Sequence, residues 1–424
     1  MLIEFRVENH RSIRDEQAIT MEASLLEDPT DVRPRAVEGN EKKLLPVAAL
    51  YGANASGKTN MLEAMDSVRE AVLYSHRSWA PDGGIPRSPF AWGPKRIEPS
   101  EFVATLLIDG VRYEYGFVAG DMRFEEEWLF AWPNGRKQSW FERDGMVFTF
   151  GENLKGENRL TERITRPNSL FLSAAIQNNY EQLAPIHRWF ASLKIETPSS
   201  RRRPAFQHEY FYHRIIKLVE DTGTTLEPGG HRPPVLANDW RELLQNSDFG
   251  IRDVKIDYKI ATWGDQQEKH PHLLFQHGTK GENAWLPLES QSRGTQTMLR
   301  IALPLLEVIA SGGVLVVDEL EASLHPMLAA KIVQQFNDPK TNPKNAQLIF
   351  TTHDTNLLGN VHGDPLLRRD QVWFTEKNKE GATVVYPLTD YKPRKAENLE
   401  RGYLQGRYGA IPFLGNLRFG GEDE

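Results

Sequence analysis

Cysteine is absent from all 424 residues, which removes disulfides, thiolate nucleophiles and cysteine-based zinc sites together. No stretch approaches the roughly 18 uninterrupted apolar residues that a membrane span needs. The opening MLIEFRVENH has no basic start followed by an apolar core, so no leader is expected and we expect a cytoplasmic chain with no membrane partner. An excess of positive charge is also missing: 51 Lys and Arg stand against 58 Asp and Glu, a formal charge of −7. Any contact with nucleic acid would have to use a local basic patch rather than the overall field. What the chain does have is 39% hydrophobic residues, ample for a soluble globular protein. It is too long for one ordinary core, so two lobes or a domain with a large insertion are expected.

The run GANASGKT, Gly52 to Thr59, fits G-x-x-x-x-G-K-[ST] in full. Apolar Leu44 to Leu50 precede it as a buried strand would, and Asn60 to Met65 open an amphipathic helix. That order matters because Gly52 and Gly57 let the backbone curl until its N–H groups and the helix N-terminus point at one spot, which attracts phosphates. Asn54, Ala55, Ser56 and Asn60 complete the expected nucleotide-binding set. Lys58 would reach the β- and γ-phosphates, and Thr59 would ligate Mg²⁺.

Along the chain, Met1 to Met21 alternate as two short strands around a polar turn. From Phe102 to Phe150 the period is two, broken by Asp109-Gly110, Pro133-Asn134-Gly135 and Asp144-Gly145, which predicts an antiparallel meander. Helical spacing returns from Ser169 to Leu193, from Phe206 to Asp221 and from Val235 to Gln245. Strands are expected at Val254 to Ile260 and His272 to Gln276.

Val314 to Val317 is a β-branched run ending in Asp318-Glu319, as a buried parallel strand delivering two carboxylates at its C-terminal end would be. Asp318 is expected to hold Mg²⁺ through water, and Glu319 to act as general base on the attacking water. ESQSRGTQ at Glu289 to Gln296 places Ser292, Gly294 and Thr295 before an apolar helix expected from Gln296 to Ala310, a second anion site. One γ-phosphate does not need two such turns, so this one is expected to serve nucleotide on another subunit. Pro304 should kink that helix or shift its boundary. Another buried run, Gln347 to Thr352, ends at His353, a residue able to sense or polarise the γ-phosphate.

The ordered set GANASGKT, S-x-G-T-Q, VLVVDE, SLHP and FTTHD resembles the ATP-binding-cassette head of SMC, Rad50, RecF and OLD proteins. Within that group the chain is most similar to stand-alone ATPases of the RloA/AbiL abortive-infection type, through FRVENHRSI at Phe5 to Ile13, SLFLSAAIQNN at Ser169 to Asn179 and YLQGRYGAIPFL at Tyr403 to Leu414. The resemblance implies an α/β P-loop NTPase with a β-meander lobe, using ATP and Mg²⁺. It makes Ser292, Gly294 and Thr295 the signature that closes on a partner subunit's ATP, Leu324 and His325 part of the loop linking two sites, and His353 the switch histidine. Gln177 is the best match for the glutamine that reports the Mg²⁺ and γ-phosphate state, with Asn178 and Asn179 as neighbours in a loose alignment. Asn9, Arg11 and Ser12 occupy the N-terminal turn that lies against nucleotide in this group. The signature departs from the transporter pattern by carrying Arg293 where those have glycine.

The 260 positions from Lys58 to Asp318 carry no sustained heptad run, so the insertion that SMC and Rad50 fill with coiled coil should be compact here. The expected division is an N-terminal ATPase lobe over 1–196, a helical insertion over 197–250 and a C-terminal ATPase lobe over 251–424. Two functions compete. One is a homodimeric ATP-hydrolysing switch in antiphage defence that controls a separate nuclease or toxin, because the 71 residues after His353 are too few for the nuclease domain of OLD proteins. The other is a RecF-like clamp on DNA, with Arg201, Arg202, Arg203, Arg214 and Lys217, or Lys392, Arg394 and Lys395, as candidate surfaces. A GTPase is set aside, since the nearest match to N-K-x-D, Asn378-Lys379-Glu380-Gly381, lacks the Asp.

Overall fold

In the computed structural model the described residues are 1–25, 28, 30–198, 215–216, 218, 237–247, 250–263, 266–278, 285–359, 365–394 and 397–412. The expected Phe206 to Asp221 helix falls almost wholly outside them. So do the basic candidates Arg201 to Arg203, Arg214, Lys217 and Lys395. Lys392 and Arg394 are exposed.

Two large sheets organise the chain, which is a mixed α/β protein. One is antiparallel throughout, in the order β2-β1-β4-β5-β6-β7-β8. Its strands are β1 (Leu2–Glu8), β2 (Gln17–Thr20), β4 (Ser100–Ile108), β5 (Val111–Ala119), β6 (Phe124–Trp132), β7 (Gln138–Asp144) and β8 (Val147–Phe150). The meander forms as its period-2 pattern requires, and the two N-terminal strands extend it. The second sheet has the order β16-β15-β3-β14-β13-β9. Here β3 (Val47–Gly52), β9 (Lys194–Glu196), β13 (Val314–Val317), β14 (Gln347–Thr351) and β15 (Val372–Lys377) run parallel, and β16 (Thr383–Pro387) is antiparallel to β15.

Strand β3 shows why an unbroken apolar run belongs at the centre of a parallel sheet. All six of its residues are buried, and they divide by parity between two cores. Ala48 and Leu50 enter one, shared with the seven-stranded sheet and with α1 (Lys58–Tyr74), α3 (Phe171–Gln177) and α4 (Ala184–Ser192). Val47, Ala49 and Tyr51 enter the other, with α6 (Arg293–Ser311) and α7 (Pro326–Asn337). Between β8 and β9 the chain also forms α2 (Asn158–Ile164), and α5 (Ala237–Asn246) precedes a three-stranded antiparallel sheet of β10 (Ile251–Trp263), β11 (Gln266–His277) and β12 (Trp285–Pro287). The last helix among the described residues is α8 (Leu399–Leu404).

The two large sheets are tied by the fully buried Gln347. Its Oε1 accepts from Leu2 N at 2.6 Å, and its Nε2 donates to Leu2 O at 3.0 Å and Leu45 O at 3.2 Å. A buried amide with its donors and acceptor occupied fixes register without leaving an unsatisfied group.

Some expectations change. Helical spacing from Ser169 to Leu193 resolves into α3 and α4, separated by a short turn through Glu181–Leu183, because Pro185 suits the first turn of a new helix. Helix α6 starts at Arg293, three residues before the expected Gln296, since Ser292 accepts the Thr295 N–H at 3.1 Å and caps it there. Pro304 does not shift its boundary: the helix runs through that position to a left-handed Gly312 cap. Strand β9 gave no signal of its own, being three residues long and held by pairing with β13.

Candidate nucleotide site

The C-terminal ends of β3, β13 and β14 bring three distant segments together, as open α/β sheets do. A cavity of about 270 Å³ lies there, lined by the whole run Asn54 to Asn60 together with Ser12, Glu319, His353 and Lys377. A larger depression of about 460 Å³ around Met1, Asp109 and Lys344 holds none of the candidate residues.

Gly57 is the N-cap of α1, at φ +110°. A Cβ there would stand 2.1 Å from Thr383 Oγ1, so only glycine lets the loop pass this close to β16. Lys58 Nζ donates to Gly52 O at 2.8 Å and Ala53 O at 3.1 Å, folding back over its own loop. Burial lowers its pKa, opposed by Asp318, Glu319 and Glu321.

Thr59 Oγ1 donates to Asp318 Oδ1 at 3.0 Å, with Oδ2 at 3.1 Å. Thr351 Oγ1 donates to the same carboxylate at 2.8 Å and accepts the Glu319 N–H at 2.7 Å. One threonine on β14 thus sets both acids, and Glu319, at φ +54°, turns off the strand into the cavity lining. The donor set fits Mg²⁺, which takes hard oxygen ligands and uses one or two protein groups with substrate phosphates and water. Thr59 and Asp318 are such a pair. Among the described residues no group of three or more His, Cys, Asp or Glu could hold a metal ion.

His353 lines the same cavity, and its backbone N–H donates to Glu321 Oε1 at 2.6 Å. Desolvation, then the Lys58 charge, lower its pKa below the ordinary histidine value, opposed by Glu321, Glu319 and Asp318, which favours the uncharged ring, a form able to hydrogen-bond to phosphate.

Ser12 belongs to the site through a chain of hydrogen bonds. Asn60 Nδ2 donates to Ser12 Oγ at 2.6 Å, Ser12 Oγ lies 2.7 Å from Thr383 Oγ1, and Thr383 Oγ1 donates to Ser56 O at 2.8 Å. Arg11 does not line the cavity: it ion-pairs with Glu63 on α1. Asn9 is buried as a structural knot, its side chain bonding Lys95 O, Glu98 O, Pro99 O and Phe90 N. Gln177 is exposed at the C-terminal end of α3 and outside the cavity lining, and Asn178 and Asn179 are exposed beside it.

Ser292, Gly294 and Thr295 also stand apart from the P-loop cavity of their own chain. They pack on the loop after β13, where a Cβ on Gly294 would meet Ser323 O at 2.5 Å. Ser292 and Arg293 are exposed. In the same loop Leu324 is buried and His325 Nδ1 accepts the Met327 N–H, capping α7.

The family model of the AAA domain described as "putative AbiEii toxin, Type IV TA system" matches residues 47–359, from the first residue of β3 to beyond His353. The chain belongs to the AAA_21 family. As a member it is a P-loop NTPase; the P-loop, the signature turn, Asp318, Glu319 and His353 fall inside the matched region, and Ser12, Lys377 and Thr383 lie outside it. This AAA_21 chain is 25% identical over 198 residues to the Septu protein PtuA of Bacillus mycoides (strain KBAB4), a match covering 44% of this chain and 26% of that protein. The chain thus spans about a quarter of that relative's length. Similar solved structures include the SMC head domain from Thermotoga maritima, at 12% identity over 91% of this chain and 98% of that one, with a TM-score of 0.37. Another is the Smc head domain with an extended coiled coil bound to the C-terminal domain of ScpA from Pyrococcus furiosus, at 12% identity over 96% and 98%, with a TM-score of 0.36. Residue roles in the AAA_21 chain therefore rest on its own geometry.

Two site residues escaped sequence reasoning: Lys377 and Thr383, on β15 and β16. No motif surrounds them. Only the pairing of β15 beside β3, with Thr375 opposite Gly52, brings them to the P-loop.

Proposed function

We propose that the chain hydrolyses ATP with Mg²⁺ as the switch subunit of an antiphage, abortive-infection defence system, and that it works as a homodimer. The observation that carries the chemical part is the convergence of Thr59, Glu319 and His353 on one cavity at the P-loop, with Asp318 buried behind it and hydrogen-bonded to Thr59. ATP would lie with its phosphates on the N–H groups of Asn54 to Asn60 and on the Lys58 ammonium. A bound Mg²⁺ would neutralise charge on the β- and γ-phosphates. Glu319 takes the proton of the attacking water as the oxygen reaches the γ-phosphorus, and ADP leaves with the β-phosphate oxygen that was bonded to it. His353 hydrogen-bonds the departing phosphoryl group and holds its orientation.

The exposed signature turn supports the dimer. Ser292 and Arg293 are exposed, with Gly294 half-buried and Thr295 buried behind them; this capped helix N-terminus is not used by its own P-loop cavity, and in a second copy's ATP it would find an anion. Gln177 and Arg11, outside the cavity, would join the site only through rearrangement on dimer closure. The defence role is supported by the toxin–antitoxin description of the family and the relationship to Septu protein PtuA, and it implies a separate effector of nuclease or toxin type.

Light scattering tests the dimer. With Glu319→Gln in the background to prevent turnover, ATP should drive dimerisation, and adding Ser292→Arg should block it while nucleotide still binds the monomer. Dimers that form normally in the Ser292→Arg variant would overturn the shared site. Mass spectrometry of proteins recovered with the chain from its host should identify the effector, and recovery of the chain alone under both ATP-bound and ATP-free conditions would count against one.

A further inference from the structure

We propose that Lys377 is a second phosphate-binding cation of this site, which holds the α- and β-phosphates of the bound nucleotide from the β15–β16 hairpin. The inference rests on the reading that the cavity takes ATP, and goes beyond it by assigning a ligand outside every motif of the P-loop class.

The placement comes from strand geometry. Residues two apart on a strand share a face, and on β15 both Thr375 and Lys377 reach the P-loop from that face. Thr375 Oγ1 lies 2.6 Å from Ser56 Oγ. Lys377 Nζ donates to Thr383 Oγ1 at 3.1 Å, and that hydroxyl donates onward to Ser56 O. Lys377 lines the same cavity as Gly57, Lys58 and Thr59.

Lys377 is exposed at the end of β15, and its ammonium is tethered by one hydrogen bond to Thr383. It has three donors, one directed at the Thr383 hydroxyl, and among the described residues no carboxylate lies within ion-pairing distance. Its pKa is lowered by desolvation, the condition that an incoming anion relieves. The hydroxyl chain Asn60–Ser12–Thr383 fixes its anchor at the start of α1, whose N–H groups cradle α- and β-phosphates in P-loops. Glu319 and His353, by contrast, come from the tips of β13 and β14 and serve the γ-phosphate. A contact with the α- and β-phosphates is common to ATP and ADP, so Lys377 would govern nucleotide affinity rather than the hydrolytic step.

The test is equilibrium binding of ATP and of ADP, each with Mg²⁺, to the full chain and to Lys377→Met. We expect both affinities to fall about tenfold, the scale of one lost charge-assisted hydrogen bond, with the two losses within about twofold of each other. Lys377→Arg should keep most of the affinity, and Lys377→Gln, which donates without charge, should not. Unchanged affinities in Lys377→Met overturn the proposal, as does full rescue by Gln. A loss confined to ATP overturns the assignment to the α- and β-phosphates. If the wild-type chain binds neither nucleotide, the reading of the cavity fails. If it binds both and Lys377→Met matches it, the failure is that of Lys377 alone.

Discussion

Thr59 and Asp318 are 259 residues apart in sequence and 3.0 Å apart in space, hydroxyl to carboxylate. The contact closes the site: it joins the first turn of α1 to the tip of β13 and sets the two side chains that the expected Mg²⁺ needs from the protein. Asp318→Asn keeps the shape and removes the charge. We expect its turnover to fall roughly a hundredfold or more, since metal-borne charge stabilisation is worth several kcal/mol, and its ATP affinity to lose most of its Mg²⁺ dependence. Titrations with and without EDTA check both.

Gly57→Ala should abolish nucleotide binding with a modest effect on folding. The new Cβ would meet Thr383 Oγ1 at 2.1 Å at a φ of +110°, so the loop has to move off β16, and backbone strain of this kind costs about 1–3 kcal/mol. Binding and thermal melting, measured on the same sample, separate the two effects. Retained ATP affinity would show that the tight approach of Gly57 to Thr383 is dispensable.

Glu127 and Arg143 form a fully buried ion pair, Nη1 to Oε2 at 3.7 Å. Burial raises the Glu127 pKa against the Arg143 charge, and lowers that of Arg143 against Glu127. Glu127 also accepts the N–H groups of Phe171 and Leu172 at 2.6 and 3.1 Å and the Tyr115 hydroxyl at 2.9 Å, so the meander sheet anchors the start of α3, the helix that carries Gln177. Arg143→Met leaves a carboxylate buried without its counter-ion and should destabilise the fold by about 3–5 kcal/mol. Denaturant melts would show it. The double variant with Glu127→Leu should recover part of that loss.

His10 is buried against Phe102, and neither ring nitrogen has a hydrogen-bond partner among the described residues. Burial, then the Arg11 charge, lower its pKa from 6.5 to about 3. The folded state therefore keeps the ring neutral while the unfolded chain takes up a proton as pH falls below 6.5. Stability from this residue is complete above that pH and is lost toward pH 3, at about 1.4 kcal/mol per unit. His10→Phe should flatten that acid limb in melting curves, and an unchanged slope would remove His10 as its cause.

The nucleotide loop, both acids and His353 were legible because each sits where a local pattern meets a fixed structural need: glycine at a positive φ, carboxylates at the end of a β-branched run. The meander was legible because its turns carry Asp-Gly and Asn-Gly at period-2 boundaries. Lys377 and Thr383 were not, since their role arises from β15 pairing beside β3 across roughly 300 residues, and nothing local records such a register. The family resemblance placed Arg11 against the nucleotide, whereas it ion-pairs with Glu63 on α1. Strand β9 depends in the same way on a neighbour supplied much later in the chain.

Phosphate release by Glu319→Gln, measured with ATP and Mg²⁺ beside the wild-type chain, tests the central claim most directly. Glu319 alone is asked to accept the water proton, so the variant should bind ATP, release no phosphate above background and yield intact ATP when denatured. Release at the wild-type rate would contradict the account.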